Sequence, residues 1–356
     1  MYVAIFILLY VFAGQIESQA QVIAPKYSNE FLSIGVGARA LAMSGVQTAT
    51  VEDVTAGYWN PAGLLSLKTK YEIGLMHSEY FAGIAKYDYA GFATRLDSAS
   101  VLALSGIRFG VDDIADTRFL YDANGAINYN NIRFFSAADY GFILSYARSI
   151  RSLRGLKTGA NFKVIHRVVG QFANAWGFGM DAGIQYERKG WRMGAMARDV
   201  TSTFNAWSHN TALVRDVYIQ TGNNIPENSV EITVPKLILG LGRKFNISKK
   251  IGLFTGMDMA NTFDGKRNVL LKSKLISVDP SAGIEVHYKQ IIFLRGGVGN
   301  YQRIKDFEKG QIARVRPTFG VGVKINKFSI DYALTDIGNL SEELYSNVFS
   351  LKLALN

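Results

Sequence analysis

The 356-residue chain contains no cysteine, 6 prolines and 4 histidines. Without cysteine there is no disulfide, no thiolate nucleophile and no cysteine-ligated metal. The histidines His77, His166, His209 and His287 are far apart, none at metal-ligand spacing from another, so no histidine-rich metal site is expected. There is no Gly-x-Ser-x-Gly element, and the nucleophile elbow is excluded with it. His209 and Asp216 are the one nearby acid–base pairing. The glycine-rich runs at 177–183 and 296–300 read as strand sequences and do not open a helix, so neither is a phosphate loop. No catalytic residue, metal or cofactor is expected. Beyond residue 20, no apolar run reaches the length of about 20 residues that a membrane-spanning helix needs.

One apolar run does stand at the front. Met1 to Phe12 is uninterrupted by charge, and Ser18-Gln19-Ala20 follows. That is too short for a spanning helix, and small residues at the first and third places of the triplet suit a signal peptidase. Residues 1–20 therefore read as a secretory leader, although no Lys or Arg precedes the run. Removing it with its one acid, Glu17, takes the net charge from +10 to +11. The basic residues are scattered rather than gathered on one segment, so nucleic acid is not the expected partner. Outer-membrane lipid and lipopolysaccharide are the expected counter-charges.

What is plentiful is glycine (35), phenylalanine (22) and tyrosine (18). With so little proline this composition suits strands. The residues also alternate. In the last ten, Phe349, Leu351, Leu353 and Leu355 share one face, and Ser350, Lys352, Ala354 and Asn356 the other. The stretches 157–168, 177–187 and 328–335 behave alike. A strand sends successive side chains to opposite faces. Apolar residues on one face, with small or polar ones on the other, are the mark of a membrane barrel wall.

Fourteen such strands are expected, near 70–80, 84–96, 98–108, 138–149, 157–168, 176–188, 190–199, 235–245, 250–262, 281–289, 291–299, 315–325, 328–336 and 346–356. Their connections alternate in length. Short turns fall near 97, 150–156, 189, 246–249, 290 and 326. Long ones fall at 109–137, 169–175, 200–234, 263–280, 300–314 and 337–345. Short periplasmic turns and long extracellular loops characterise single-chain outer-membrane barrels. The fold class expected is thus all-β: a transmembrane antiparallel barrel in a Gram-negative outer membrane, residues 70–356, with both ends on the periplasmic side. Residues 21–69 do not alternate and are rich in glycine and alanine, and their hydrophobicity argues against disorder. They are expected to form a hatch, or plug, in the lumen.

The run 31–64, FLSIGVGARALAMSGVQTATVEDVTAGYWNPAGL, resembles the N-terminal signature of the PorV/PorQ family, within the wider FadL-like group of outer-membrane barrels. The matching residues include Gly35, Gly37, Arg39, Trp59, Asn60, Pro61 and Gly63, with Glu52-Asp53 between them. The stretches 280–300 and 319–340 resemble the family's closing strands. The resemblance implies a fourteen-stranded barrel with an N-terminal hatch. It also implies a place in a group that includes type IX secretion components of the Bacteroidetes lineage, one of which receives cargo and hands it to a surface attachment complex.

Two sets of residues are candidates for function. The inward face is expected to carry Lys163, Arg167, Asp181, Arg192, Arg198, Asp258, Glu285, Arg295, Lys324 and Asp331. Charges are tolerated inside a barrel and costly toward lipid, and with both signs mixed these are read as holding the hatch. The two longest loops carry Phe119, Tyr121, Tyr129, Phe134 and Phe135, and Phe204, Trp207 and Tyr218. Exposed aromatics are frequent interface anchors. The leading expectation is a non-enzymatic barrel that engages secreted cargo or a type IX translocon through these loops. The alternative is FadL-like transport of a hydrophobic small molecule.

Overall fold

The computed structural model describes residues 28–150, 153, 155–306, 310–335 and 346–356. The expected leader at 1–20, residues 21–27 of the expected hatch and the connection at 337–345 lie outside the described residues.

Fourteen long strands follow in up-and-down order. They are β1 Tyr71–Tyr80, β2 Ala85–Arg95, β3 Ser100–Asp116, β4 Arg133–Ser149, β5 Leu156–Val169, β6 Ala173–Arg188 and β7 Trp191–Arg198. Then come β8 Lys236–Asn246, β9 Ile251–Thr262, β10 Ser277–Tyr288, β11 Ile292–Asp306, β12 Gly310–Ile325, β13 Phe328–Thr335 and β14 Ser346–Leu355. Each pairs antiparallel with the next, β7 with β8 included. β1 pairs with both β2 and β14, so the sheet closes on itself. Closure leaves no open edge, the condition for crossing a bilayer with strands. Among the described residues no helix is long and apolar enough to cross a membrane.

The alternation seen in the sequence is the alternation of the wall. In β6, Phe178, Met180 and Ile184 are exposed on the outer face, while Asp181 and Gln185 are buried on the inner. Tight turns close one end. Lys189 and Gly190 both have positive φ, 49° and 79°, a geometry whose twist matches that of the flanking strands.

The other end differs from expectation. β3 runs to Asp116 and β4 starts at Arg133, so the 109–137 connection is partly strand. β11 and β12 extend through most of 300–314, and 169–175 reduces to the turn 170–172. These extensions lack alternation because water lies on both sides of a hairpin that projects from a membrane, yet the ladder continues. The 200–234 connection holds a strand Phe204–His209 paired with β6, a helix Thr211–Gln220, and a strand Ser229–Ile232.

Residues 28–67 lie inside the ring of strands. They form short helical turns at Glu30–Ser33, Ala38–Leu41, Ala56–Trp59 and Pro61–Ser66. Val36, Ala38, Ala42, Val46, Val54 and Leu64 are fully buried there. Wall glycines make the room. A Cβ on Gly194 would sit 2.3 Å from the Thr48 carbonyl oxygen, and one on Gly297 would sit 2.4 Å from the Met43 carbonyl carbon. Both distances are below van der Waals contact, so much of the chain's glycine serves the approach of this segment to the wall.

Candidate functional site in the lumen

The interior site is the seam between the N-terminal segment and the inner face of the wall. Gly35 and Gly37 both have positive φ and turn the chain into the Ala38–Leu41 helix, a conformation L-residues adopt only at a cost. That turn aims Arg39 at the wall. Its Nε donates to Glu285 Oε2 at 2.8 Å. The Trp59 indole N–H donates to the Val36 carbonyl at 2.8 Å, folding the segment back on itself. Asn60 is fully buried. Its Nδ2 donates to the carbonyls of Thr48 (2.7 Å) and Ile184 (3.0 Å), and its Oδ1 accepts from the Ala62 N–H. Pro61 follows as the first residue of its turn, where a missing N–H costs nothing. A Cβ on Gly63 would lie 2.5 Å from the Val51 carbonyl oxygen. The seven signature residues thus shape the segment, and Arg39 and Asn60 hydrogen-bond to the wall.

The inward charges of the wall are shared out along this seam. Asp258 accepts from two segment amides, Gln47 (3.0 Å) and Thr48 (2.9 Å). Arg192 donates to Glu52 at 2.8 Å and to the Thr50 carbonyl. Arg198 lies over the Tyr58 ring at 4.5 Å and donates to the Tyr58 carbonyl. Lys163 sits between Asp181, at 2.7 Å, and Asp199. Arg295 bridges Glu285 and Asp331, each at 2.7 Å. Arg167 stands apart, held by Asp139 and Glu231. Lys324 is exposed near the turn end of β12.

Sequence reasoning did not single out four residues that complete these groups. Glu52 and Asp53 were seen only as part of a signature, Asp199 ends a strand, and Lys352 was placed on the inner face without a partner. Their partners lie far off in sequence. The one local signal was the inward register of Lys352.

The loop aromatics do not gather on one surface. Phe119, Tyr121, Tyr129 and Phe134 are exposed. Phe135 packs edge-on against Phe172 at 5.0 Å. Phe204 lies on the outer wall beside Phe178, and Trp207 sits under Arg167 at 5.0 Å. Tyr218 is half-buried on the loop helix.

Apolar side chains fill one part of the lumen. Phe31, Tyr58, Tyr87, Ile107, Ile143 and Ile165 form a single buried cluster between segment and wall. Two cavities flank the seam. One, of about 10 Å³, touches Gly37, Arg39 and Lys352; the other, of about 20 Å³, touches Tyr58, Arg198 and Lys236. Each has room for about one water.

This is a closed fourteen-stranded antiparallel barrel with its N-terminal segment lodged inside. The solved structures it resembles include a monoaromatic hydrocarbon channel, CymD, with TM-score 0.55 and 13% identity over 91% of this chain and 98% of that one. The toluene transporter TodX of P. putida matches with TM-score 0.56 and 15% identity, over 90% of this chain and 99% of that one. A Pseudomonas aeruginosa FadL homologue matches with TM-score 0.53 and 9% identity, over 89% and 97%. No protein family matches the sequence. No curated protein matches it either.

Proposed function

We propose that this chain is an outer-membrane barrel that passes hydrophobic small molecules, with its N-terminal segment as the hatch. The observation that carries the reading is the buried apolar and aromatic cluster at the seam, Phe31, Tyr58, Tyr87, Ile107, Ile143 and Ile165, in a fold shared with hydrocarbon channels. Ligand pockets are mostly apolar, with few placed polar groups. With the segment seated, the flanking cavities admit water-sized groups only, so passage requires residues 21–69 to shift. Residues 1–20 act as the export leader, and the long loops face outward from the cell.

The absence of native cysteine makes a clean test available. Ser44 Oγ in the segment lies 3.1 Å from Thr318 Oγ1 on the wall. In the variant S44C/T318C, oxidation is expected to lock the segment and stop uptake of a labelled monoaromatic hydrocarbon into proteoliposomes, with reduction restoring it. Equal uptake in both redox states, with the cross-link confirmed by mass, would show that the segment is no hatch. No uptake by the wild-type chain above empty vesicles would remove the transport reading.

The second reading, a PorV/PorQ-like partner in type IX secretion, is supported by the 31–64 signature. Co-purification from detergent-solubilised outer membranes tests it. Recovery of a translocon barrel or secreted cargo favours it, and recovery of neither counts against it.

A further inference from the structure

Taken loop by loop, the charge at the loop end of the barrel is not scattered. The stretches 263–280 and 300–316 together carry nine Lys and Arg against four Asp and Glu. The connections 109–137, 200–234 and 337–345 carry three against nine. One sector of the rim, over β9 to β12, is basic, and the rest is acidic. The two basic stretches are joined. Asn268 Nδ2 donates to the Arg303 carbonyl at 2.9 Å, and its Oδ1 accepts from the Arg303 N–H at 3.0 Å. In the first stretch Asp264 is taken by Arg267 at 2.6 Å. Lys266, Lys272 and Lys274 are exposed there, with Leu270, Leu271 and Leu275 exposed among them.

Arg303 on β11 stands opposite Ala313 on β12, and Lys305 opposite Gln311. Directly opposite residues share a face, and Ala313 is one outward step beyond the exposed Val315. Arg303 and Lys305 therefore point outward, and both are exposed. The Arg303 side chain meets the Tyr301 hydroxyl at 3.4 Å. Among the described residues, neither these two cations nor the three lysines of the first stretch are ion-paired. Their height is that of a bilayer surface. Ala313 lies ten residues along β12 from Val323, which stands opposite Ile292 near the turn end. At about 3.3 Å per residue and a tilt of about 40°, ten residues climb about 25 Å, the full height of the apolar band. Lys305 stands about 5 Å higher on the same reckoning. Below Arg303 the outward residues Leu294, Val298, Val315, Phe319 and Val321 are apolar and exposed. Near the same end, β4 to β6 instead carry one outward row of Tyr140, His166 and Trp176, as at an aromatic girdle.

We propose that this sector binds a phosphate group of lipid A, the lipid anchor of lipopolysaccharide in the outer leaflet. Arg303 and Lys305 take the phosphate, Lys266, Lys272 and Lys274 answer the remaining negative charge, and acyl chains lie on Val298, Val315 and Phe319 below. A guanidinium offers a phosphate two parallel N–H donors. A phosphate at the bilayer surface needs cations that point outward, lack a carboxylate and stand level with the top of the apolar band. Arg303 meets all three conditions. The acidic sectors of the rim repel the same group, so binding is confined to β9–β12. This inference rests on the long loops facing away from the cell and not on hydrocarbon passage, so a barrel that passes no hydrocarbon would leave it standing.

The full chain in detergent is titrated with diphosphoryl lipid A, with dephosphorylated lipid A and with phosphatidylglycerol, and the lipid retained is counted by native mass spectrometry. Diphosphoryl lipid A is expected to be kept over each of the others by about tenfold. R303Q/K305Q removes the two outward cations and spares the backbone bonds to Asn268, and the heat-dependent gel shift checks that the barrel is intact. It is expected to lower retention to the dephosphorylated level. K272Q/K274Q, which leaves the hairpin untouched, is expected to lower it about threefold. K249Q/K250Q removes the same charge from the short turn between β8 and β9, at the opposite end, and is expected to change nothing. Dephosphorylated lipid A or phosphatidylglycerol held as well as diphosphoryl lipid A, unchanged retention in folded R303Q/K305Q or K272Q/K274Q, or an equal loss in K249Q/K250Q would each overturn the proposal.

Discussion

Lys352 Nζ lies 2.6 Å from Asp53 Oδ2, joining the last strand to a residue 299 positions earlier. Lys352 also stands 3.8 Å from Asp331, Asp331 pairs with Arg295, Arg295 with Glu285, and Glu285 with Arg39. The relay starts and finishes on the N-terminal segment and crosses the inner face from β14 to β10.

Removing Lys352 from the relay leaves the shielded Asp53 without its cation, while Asp331 keeps Arg295. K352M is expected to loosen the segment by about 3 kcal/mol, the lower end for a broken buried pair. Limited proteolysis should then cut within residues 36–60 while the gel shift of the barrel persists. The double variant D53N/K352M should recover part of the loss, because it leaves no orphan carboxylate at that point. A single variant as protease-resistant as wild type would show that the pair does not hold the segment.

The same region responds to acid. Burial opposes the ionisation of Asp53, but Lys352 and Arg39 outweigh it and hold its carboxyl at about 2. Glu52 is likewise disfavoured as an anion by burial and held at about 2 by Lys244, Arg192 and Arg39. Both folded values lie below those of the unfolded chain. Their stabilisation is therefore complete above about pH 4 and is lost as the pH falls from about 4 toward about 2. Hydrogen exchange of the backbone amides next to Glu52 and Asp53, once corrected for intrinsic rate, should rise as the pH falls from about 4 toward about 2. Protection that fades between pH 7 and 5 would point to other groups.

Gly194 provides a steric test. Its position faces the Thr48 carbonyl oxygen at a distance that excludes any Cβ. G194V should displace the segment around Thr48 and break the Asp258 contacts to Gln47 and Thr48. The expected readout is greater protease sensitivity near Thr48 with the strand content by circular dichroism unchanged. A valine variant with wild-type protection would mean that the segment does not pack against β7.

How much of this was readable from the sequence follows from which solvents the chain divides. Where lipid lies on one side and the lumen on the other, as for Phe178 against Asp181, the alternation is strong and the strands of the wall are legible. Where a hairpin stands in water on both faces, as at Arg303 and Arg314 on β11 and β12, the pattern vanishes although the strands continue. The inward charges Lys163, Asp181, Arg295 and Asp331 could be assigned to a face by register alone. Their partners could not, because Asp53 and Lys352 meet only after the sheet has closed. The loop helix Thr211–Gln220 lies within a stretch read only as a connection, and the eight loop aromatics were grouped by proximity in sequence that the fold does not keep.

The pairing of β1 with β14 carries a consequence for the order of assembly. The strand that completes the sheet is also the one that supplies Lys352, so the Asp53 end of the interior segment cannot be secured until Ser346–Leu355 is in place. Closing the wall and securing the interior are thus one late event rather than two. An assembly intermediate stalled before β14 would present an open seam and a loose N-terminal segment together.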